Sequence, residues 1–378
     1  MSKEDSKKIQ SLLLTGDETN IEIAFQLCKS LKSFYTKKVA TLLRKHPLFC
    51  LEYELELRHL KKLSGLAIKN KNLLKVPRAI GQLTKLKHLN LLRNALVDLP
   101  QEITLLYKLE QLNLYANNLE VFPEEVVRLP LRKLRLSHNP LKALPVSIKQ
   151  LKQLTLLSLD CCQLTSLPAE IGELNLCKEL LLNGNQLHCL PEEIGQLAQL
   201  EKVNLSNNQL RSLPKSVQHW QALHYLDLSQ NQFNTLPTAV GELTHLITLI
   251  LENNPIKSLP NNLNQLTQLR TLALRFAKVD TEMFEHICQL SSLRSLVLVG
   301  CEITAIPASI VQLKQLNWLN LSQNQIGELP KELGKLGNLD AIHLSDNPLD
   351  VQTLRQVRGW LPQCGIGWQG TTHYGGSF

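Results

Sequence analysis

The chain has 378 residues, 43% of them apolar and 5% aromatic, so any large core must be built from aliphatic side chains. No uninterrupted apolar run approaches the roughly 18 residues that a membrane helix needs, and no apolar segment follows the mixed charges of the first ten residues, so we expect neither a membrane span nor a secretory signal. The nine cysteines are an odd number and show no paired spacing, which indicates reduced thiols rather than disulfides. Reduced thiols are typical of the cytoplasm, so we predict a cytoplasmic protein.

The formal net charge of +8 is concentrated at the N-terminal end of the chain. Residues 1–90 hold 18 lysines and arginines against 8 aspartates and glutamates, whereas the remaining 288 residues hold 23 against 25. Any long-range electrostatic attraction is therefore expected at the N-terminal end.

Residues 1–62 lie outside the regular pattern that follows and are predicted to form a helical N-terminal cap. Apolar residues recur at helical spacing from Ile21 to Leu31, which predicts a helix over this stretch. Thr19 and Glu22 stand three residues apart in front of these apolar residues, as the two members of a capping box do. The predicted helix therefore begins near Thr19.

The rest of this segment is predicted to hold one more helix and a strand. The helix should run from Thr36 to His46, where Pro47 stops it. The alternating pattern of Leu51–Leu57 predicts a short strand. A repeat array exposes its core at both ends unless something covers it, so we interpret residues 1–62 as that cover.

From residue 63 the sequence repeats itself. NLSNNQLRSLP (204–214), DLSQNQFNTLP (227–237) and NLSQNQIGELP (320–330) are three copies of one phrase. The copies are spaced by 23 residues, except for one gap of 22 and one of 24, and they begin at Leu63, Leu86, Leu109, Leu131, Leu154, Cys177, Leu200, Leu223, Leu246, Leu269, Leu293, Leu316 and Leu339. This regularity predicts one stack of thirteen repeats over residues 63–349, and it overrides the two or three globular domains that length alone would suggest.

The pattern of the copies, L-x-x-L-x-L-x-x-N-x-L-x-x-L-P-x-x-I-x-x-L, resembles the leucine-rich repeat family from about Leu63 to Leu361. Its Leu-Pro-x-x-Ile half is similar to the cytoplasmic 23-residue type of bacterial proteins and of plant intracellular Ras-group proteins. The resemblance implies an α/β solenoid, a horseshoe with a parallel sheet on the concave face and irregular or 3-10 segments on the convex face.

The residues themselves support this interpretation. In LEKVNLSNN (200–208) the apolar Val203 and Leu205 alternate with polar residues, which predicts a strand with one face in the core. The asparagine after the strand has a donor and an acceptor for backbone groups of the buried turn, each of which costs about 1–3 kcal/mol when unpaired. The predicted structural asparagine ladder comprises Asn94, Asn117, Asn139, Asn185, Asn208, Asn231, Asn254, Asn324 and Asn347.

The last residues are predicted to close the other end of the array. Asp350 can cap a helix that carries Val351, Leu354 and Val357 and that ends before Pro362. The segment CGIGW favours one more short strand. We therefore expect a C-terminal cap over residues 350–369 and a flexible tail over residues 370–378.

No catalytic or cofactor-binding motif is recognisable in the sequence, whether a phosphate-binding loop, a metal-binding histidine or paired-cysteine motif, or a nucleophile elbow. The densest group of possible metal ligands follows the repeat register, which favours core filling over zinc binding; it comprises Cys161, Cys162, Cys177, His188 and Cys189. We predict a non-enzymatic protein with no cofactor and no metal. The basic N-terminal residues lack interleaved aromatics, which argues against nucleic acid.

A partner-binding site is predicted at the outward strand positions, which are the third, fifth, seventh and eighth of each repeat. Large apolar and aromatic groups there forfeit burial free energy of about 1.5–3 kcal/mol each in water, and with arginine they are the groups that protein-binding hot spots favour. The predicted footprint comprises Ile250, Glu252, Arg275, Phe276, Val297, Val299 and Trp318, and a smaller, more basic candidate comprises Tyr115, Lys133, Arg135 and His138. The alternative is that packing among these side chains hides them from solvent.

Leucine-rich repeat proteins mostly bind other proteins, so the resemblance implies a binding function. We predict a non-enzymatic scaffold that binds a partner protein on the concave face, as a cytoplasmic monomer of the kind used in signalling. Two alternatives are a host-directed bacterial effector-type targeting module and a structural spacer without a dedicated ligand. A spacer would lack an apolar cluster on its concave face.

Overall fold

The computed structural model describes residues 2–32, 34–368 and, for the backbone alone, residues 371–373. The chain divides into two compact units, an N-terminal unit of residues 1–158 and a C-terminal unit of residues 159–378. Within the described part of the chain, no helix combines the length and the apolar character that crossing a bilayer requires.

The N-terminal unit begins with five helices: α1 (Lys3–Leu14), α2 (Glu18–Ser30), α3 (Lys37–Leu43), α4 (Pro47–Glu52) and α5 (Leu57–Leu60). Their shared core includes Ile9, Phe25 and Leu43, all of them buried. The ring of Phe25 lies 5.5 Å from the ring of Phe49 on α4, measured between centroids. Helix α4 also packs against the 3-10 helix of the first repeat, which joins the helical segment to the array.

Two local predictions for this segment are wrong. Helix α2 begins at Glu18 because the Asp17 carboxylate accepts a hydrogen bond from the Asn20 backbone N–H at 3.1 Å, so Thr19 lies inside the helix and forms no capping box. Leu51–Leu57 forms no strand, because Glu54 and Glu56 adopt positive φ angles of 54° between α4 and α5. Left-handed backbone of this kind interrupts the extended conformation that a strand requires.

The two remaining helices of the segment differ in how well the sequence predicts them. The predicted start of helix α3 is confirmed, with Thr36 as its N-cap and the Thr36 hydroxyl accepting from the Val39 N–H at 3.3 Å. Its predicted end is wrong, because the helix ends at Leu43 and Pro47 is the first residue of α4. Helix α1 was not predicted. It begins with a capping box between Ser2 and Asp5. This helix is only weakly indicated in the sequence, because a short amphipathic helix with many charges has a weak apolar periodicity.

Five parallel strands complete the N-terminal unit: β1 (Gly65–Ala67), β2 (His88–Asn90), β3 (Gln111–Asn113), β4 (Lys133–Arg135) and β5 (Leu156–Ser158). They pair in chain order, position for position. The returning segments hold 3-10 helices at Arg78–Gln82, Gln101–Leu105, Glu124–Arg128 and Val146–Gln150. A proline precedes each of these helices, where its fixed φ and missing N–H are tolerated.

The C-terminal unit continues the pattern. Its strands are β6 (Glu179–Leu181), β7 (Lys202–Asn204), β8 (Tyr225–Asp227), β9 (Thr248–Ile250), β10 (Thr271–Arg275), β11 (Ser295–Val299), β12 (Trp318–Asn320), β13 (Ala341–His343) and β14 (Gly365–Trp368). Its returning segments hold 3-10 helices at Ala169–Glu173, Glu192–Gln196, Lys215–His219, Asn261–Gln265, Ala308–Gln312 and Lys331–Lys335, and a short helix α6 (Thr238–Gly241). Strands β6 to β14 pair in parallel, which together with the N-terminal unit confirms the leucine-rich repeat solenoid expected from the sequence.

The nine repeated asparagines have one common environment. Asn254, which is 1% exposed, donates from its amide to the carbonyls of Leu228 (2.9 Å) and Leu251 (3.0 Å). Its side-chain oxygen accepts from the Phe233 N–H at 3.1 Å. The other eight make the same bonds to the preceding coil and to their own strand, so each asparagine links two coils through backbone groups.

The 24-residue copy that begins at Leu269 departs from the regular coil. Ala277 stands in the asparagine position, and helix α7 (Thr281–Cys288) replaces the 3-10 helix, with Asp280 as its N-cap. In the next copy Cys301 takes the asparagine position, and its thiol donates to the Leu274 carbonyl at 3.2 Å. The thiol therefore replaces one of the amide bonds of the ladder.

The C-terminal segment has the helix and the strand that were predicted. Helix α8 (Val351–Trp360) is capped by Asp350, whose carboxylate accepts from the Thr353 N–H at 2.7 Å, and β14 follows it. Val351 is exposed, and Val357 is the apolar residue of the helix that is buried. The flexible tail over 370–378 stays a prediction. Thr371–His373 forms β15, antiparallel to β14, and residues 370 and 374–378 lie outside the described residues.

Candidate protein-binding face

The outward positions of the C-terminal sheet form the surface on which the larger footprint was predicted. Along β7 the central Val203 is buried, while Lys202 on one side of it is exposed and Asn204 on the other is half-buried. Alternation of this kind leaves one face of each strand to the leucine core and the other to solvent. Parallel pairing in register then stacks the outward positions of successive repeats into columns.

Strands β10 and β11 are longer than the other strands of the sheet, a feature that the sequence analysis missed. At the fifth position, Asn90, Asn113, Asn204, Asp227 and Asn320 each accept a hydrogen bond from the N–H two residues later, which turns the chain away from the sheet. Ala273 and Val297 stand at this position in β10 and β11 and cannot make the bond. Both strands run for five residues, and Arg275 pairs with Val299 at their ends. Ala67, Leu181 and Ile250 also lack a polar side chain at the fifth position, in strands of only three residues, so this absence alone is no sequence signal for the extension.

Phe276 is the most exposed aromatic residue of this face. It has a φ of 57°, and 57% of its surface is open to solvent. Its ring lies against the backbone of the next coil at Gly300, where a Cβ atom would come within 2.6 Å of a ring carbon. The absence of a Cβ atom at Gly300 therefore allows the Phe276 ring to pack against this backbone.

Trp318 on β12 is the second exposed aromatic residue, at 38%. Its ring centroid lies 4.5 Å from that of His343 on β13, at an interplanar angle of 40°. The Nε2 atom of His343 is buried and has no hydrogen-bond partner among the described residues, and burial lowers the pKa of this imidazole from 6.5. Trp318 thus rests on a neutral aromatic neighbour, which favours one ring orientation.

Two members of the predicted footprint, Arg275 and Glu252, form an ion pair. The Arg275 Nε atom lies 3.0 Å from Glu252 Oε1 on the preceding repeat, without the alignment of a hydrogen bond. Both side chains are partly exposed, and pairs of this kind contribute about 0–1 kcal/mol to stability. The pair therefore orients Arg275 beside the aromatic residues more than it stabilises the fold.

Val299 was expected to face solvent, and this is wrong, because only 6% of its surface is exposed. It lies at the end of the extended strand β11, beside Arg275 in the ladder and directly before Gly300. Ile250 and Val297 are half-buried, so the exposed apolar surface is carried by Phe276 and Trp318 with these two residues at their side.

The smaller predicted site lies in the N-terminal unit. The rings of Tyr115 and His138 meet edge to face, with centroids 4.9 Å apart and an interplanar angle of 61°. Lys133 and Arg135 occupy the third and fifth positions of their repeat, at the two ends of β4, and both are half-buried. The structure therefore brings these four residues to one region of the open face.

The described residues contain no group of three or more His, Cys, Asp or Glu side chains that could hold a metal ion. Burial raises the pKa of the thiols of Cys28, Cys288, Cys301 and Cys364 to about 11, and that of Cys50 to about 12. Thiols with such pKa values are protonated at neutral pH and are poor nucleophiles.

Comparisons with known proteins identify the family. A leucine-rich repeat region model matches residues 269–358, and a leucine rich repeat model matches residues 198–256. A leucine-rich repeat protein from Leptospira interrogans, whose structure is known, is 34% identical to this chain. The match covers 88% of this chain and 86% of that protein, with a TM-score of 0.76. The chain belongs to the leucine-rich repeat family. Proteins of this family are generally non-enzymatic and act in protein–protein interaction.

More distant structures share the fold. The internalin InlF of Listeria monocytogenes is 24% identical, with a TM-score of 0.71 over 82% of this chain and 88% of its own. The functional domain of InlJ from the same organism is 21% identical, with a TM-score of 0.56 over 80% and 72% of the two chains. A search of curated proteins found no significant match.

Proposed function

We propose that this protein is an interaction scaffold that binds a partner protein on the open face of its C-terminal sheet, with Phe276 and Trp318 at the centre of the contact. The single observation that carries the proposal is the exposure of these two aromatic side chains, 57% and 38%, on a face built mostly from small or polar residues. A spacer without a ligand has no need for this exposure, since it forfeits burial free energy.

The chemistry of the face suits a protein partner. Aromatic and arginine side chains are the residues that most often dominate the free energy of protein association, and here Arg275 lies beside Phe276. Phe276 rests on Gly300 and Trp318 rests on His343, so both rings are held in place before binding. A preorganised anchor loses less side-chain entropy on association than a mobile one does.

The proposal can be tested with the double variant Phe276→Ser/Trp318→Ser. Neither ring reaches the leucine core, so the variant should keep the fold and its circular dichroism spectrum. The matched control is Leu176→Ser/Val351→Ser, which removes two exposed apolar side chains of the same unit at sites away from the strands. Each tagged protein is used to capture partners from the native lysate, and the captured proteins are quantified by mass spectrometry.

The expected result is a set of proteins captured equally by the wild type and by the control and lost with the double variant. Burial of the two rings at an interface contributes about 1.5–3 kcal/mol each, so the double variant should bind at least tenfold more weakly. Equal capture by a folded double variant would place the contact elsewhere. Loss of folding in the double variant would show that these residues serve the sheet itself.

The same proposal includes a cytoplasmic, monomeric protein with repeats of the 23-residue type. Seven buried thiols support a reducing compartment, where such residues persist; they are those of Cys28, Cys50, Cys162, Cys177, Cys288, Cys301 and Cys364. Light scattering of the purified protein should give a mass near 42.7 kDa. A mass twice that value would contradict the monomer.

A further inference from the structure

The open face of the N-terminal sheet has an unusual distribution of charge. In the three complete repeats that begin at Leu86, Leu109 and Leu131, all of which the structure describes, none of the third, fifth, seventh or eighth positions holds an aspartate or glutamate. The same positions hold three fixed positive charges, Arg93, Lys133 and Arg135, and two histidines, His88 and His138. We call these five residues the basic face.

The positive charges of the basic face are unpaired. Arg93, Lys133 and Arg135 form no ion pair with any residue that the structure describes, although other cations of the unit do, such as Lys87, which lies 3.3 Å from Glu110. In the C-terminal unit the outward arginine Arg275 is paired with Glu252. Arg275 therefore has a neighbouring counter-charge that Arg93, Lys133 and Arg135 lack among the described residues.

The geometry concentrates the charge. Lys133 and Arg135 are two residues apart on β4, so their side chains leave the same face about 7 Å apart. Their ladder neighbours are uncharged: Gln111 and Asn113 on β3, and Leu156 and Ser158 on β5. Both cations are half-buried, and a partly desolvated charge gains more from a counter-charge than a fully solvated one does.

The edge-to-face pair of Tyr115 and His138 borders these cations. Tyr115 is half-buried and His138 is exposed, so the pair offers an aromatic surface beside the positive charges. Aromatic and cationic side chains together are suited to a polypeptide that carries carboxylates between apolar side chains.

We propose that the basic face binds an acidic polypeptide segment of a partner protein, with Lys133 and Arg135 contacting its carboxylates. The inference rests on the proposed function, because it assigns a second region of the open sheet face to protein binding. A peptide fits better than a nucleic acid. Proteins that bind a duplex contact about 6–10 phosphates, whereas the basic face offers three fixed charges.

The test uses the full-length protein and a fluorescein-labelled ten-residue peptide that contains six glutamates. Binding is measured by fluorescence anisotropy at two salt concentrations, with the matching glutamine peptide and a single-stranded ten-nucleotide DNA as competing probes. The variant is Lys133→Ala/Arg135→Ala. The control is Lys85→Ala/Lys149→Ala, which removes the same charge from exposed sites of the same unit that lie off the strands. Circular dichroism checks the fold of both.

The expected result is salt-sensitive binding of the glutamate peptide, a tenfold or greater loss in Lys133→Ala/Arg135→Ala, and less than a twofold change in the control. No binding of the glutamate peptide, or an equal loss in both variants, would overturn the proposal. DNA binding that is tighter than peptide binding and depends on Lys133 and Arg135 would also overturn it. Phe276→Ser/Trp318→Ser should keep full peptide affinity, so failure of the aromatic contact and failure of the basic face are distinguishable.

Discussion

Replacing Asn254 by alanine should reveal how much the asparagine ladder contributes to stability. The substitution removes two donated bonds, to Leu228 and Leu251, and one accepted bond, from Phe233. The residue is 1% exposed, so water cannot reach the groups that are left behind. The Leu228 carbonyl keeps its bond from the Asn231 amide, so two groups, the Leu251 carbonyl and the Phe233 N–H, lose the partner that Asn254 provides. An unpaired buried group costs about 1–3 kcal/mol, and two such groups with partial relaxation give an expected loss of about 2–4 kcal/mol.

The free energy of unfolding can be measured by urea denaturation followed by tryptophan fluorescence. Hydrogen exchange of the Phe233 amide, which loses its acceptor, reports the local effect. The control is Asn175→Ala at an exposed site, where a change within about 0.5 kcal/mol is expected. Asn254→Cys should lower the free energy of unfolding less than Asn254→Ala does. The reason is that Cys301, at the equivalent position of another repeat, makes one of the ladder bonds through its thiol.

A loss below about 1 kcal/mol for Asn254→Ala would refute the reasoning, since even one unpaired buried group should cost that much. Equal stability of Asn254→Cys and Asn254→Ala would show that a thiol hydrogen bond at this position does not stabilise the repeats.

Three further outcomes are expected. Gly300→Ala should lower the free energy of unfolding and weaken partner capture to the level of Phe276→Ser, because the new Cβ lies within 2.6 Å of the Phe276 ring and φ is 64°. Unchanged partner capture would show that Gly300 has no role in the binding site. Burial holds the pKa of His343 below 6.5, so the unfolded chain binds the proton more tightly and the free energy of unfolding should fall as pH drops through about 6.5, and His343→Gln should flatten this dependence. Deleting residues 1–62 should cause aggregation or loss of cooperative unfolding, because it removes α4 from the first repeat; a soluble and cooperative truncated protein would show that the segment is an independent domain.

The repeats could be predicted from the sequence because each leucine, asparagine and proline meets the same physical requirement in every coil. A signal repeated thirteen times is far stronger than any local propensity. The N-terminal helices carry no such repetition. Asp17 takes the cap position one residue before Glu18 through a local bond to the Asn20 N–H, in competition with Thr19. Glu54 and Glu56 adopt positive φ, which the apolar alternation of Leu51–Leu57 does not indicate.

The candidate site was predictable only in part. Phe276 and Trp318 stand at outward positions of the repeat, and the structure places both in solvent. Val299 stands at an outward position too, yet it is buried at the end of the longer strand β11, where it pairs with Arg275. The lengths of the strands and the pairs formed across coils, such as Trp318 with His343, come from contacts between repeats, which a pattern within one repeat does not contain.

Hydroxyl-radical footprinting of the protein with its captured partner tests the central claim most directly, because the label reports the exposure of individual side chains. In the free protein, Phe276 and Trp318 should be oxidised readily, whereas the buried Trp220 should stay unmodified as an internal control. In the complex, the account predicts that oxidation of Phe276 and Trp318 falls severalfold, while the exposed Leu176 and Val351 keep their rates. Unchanged oxidation of both aromatic residues in a saturated complex would contradict it.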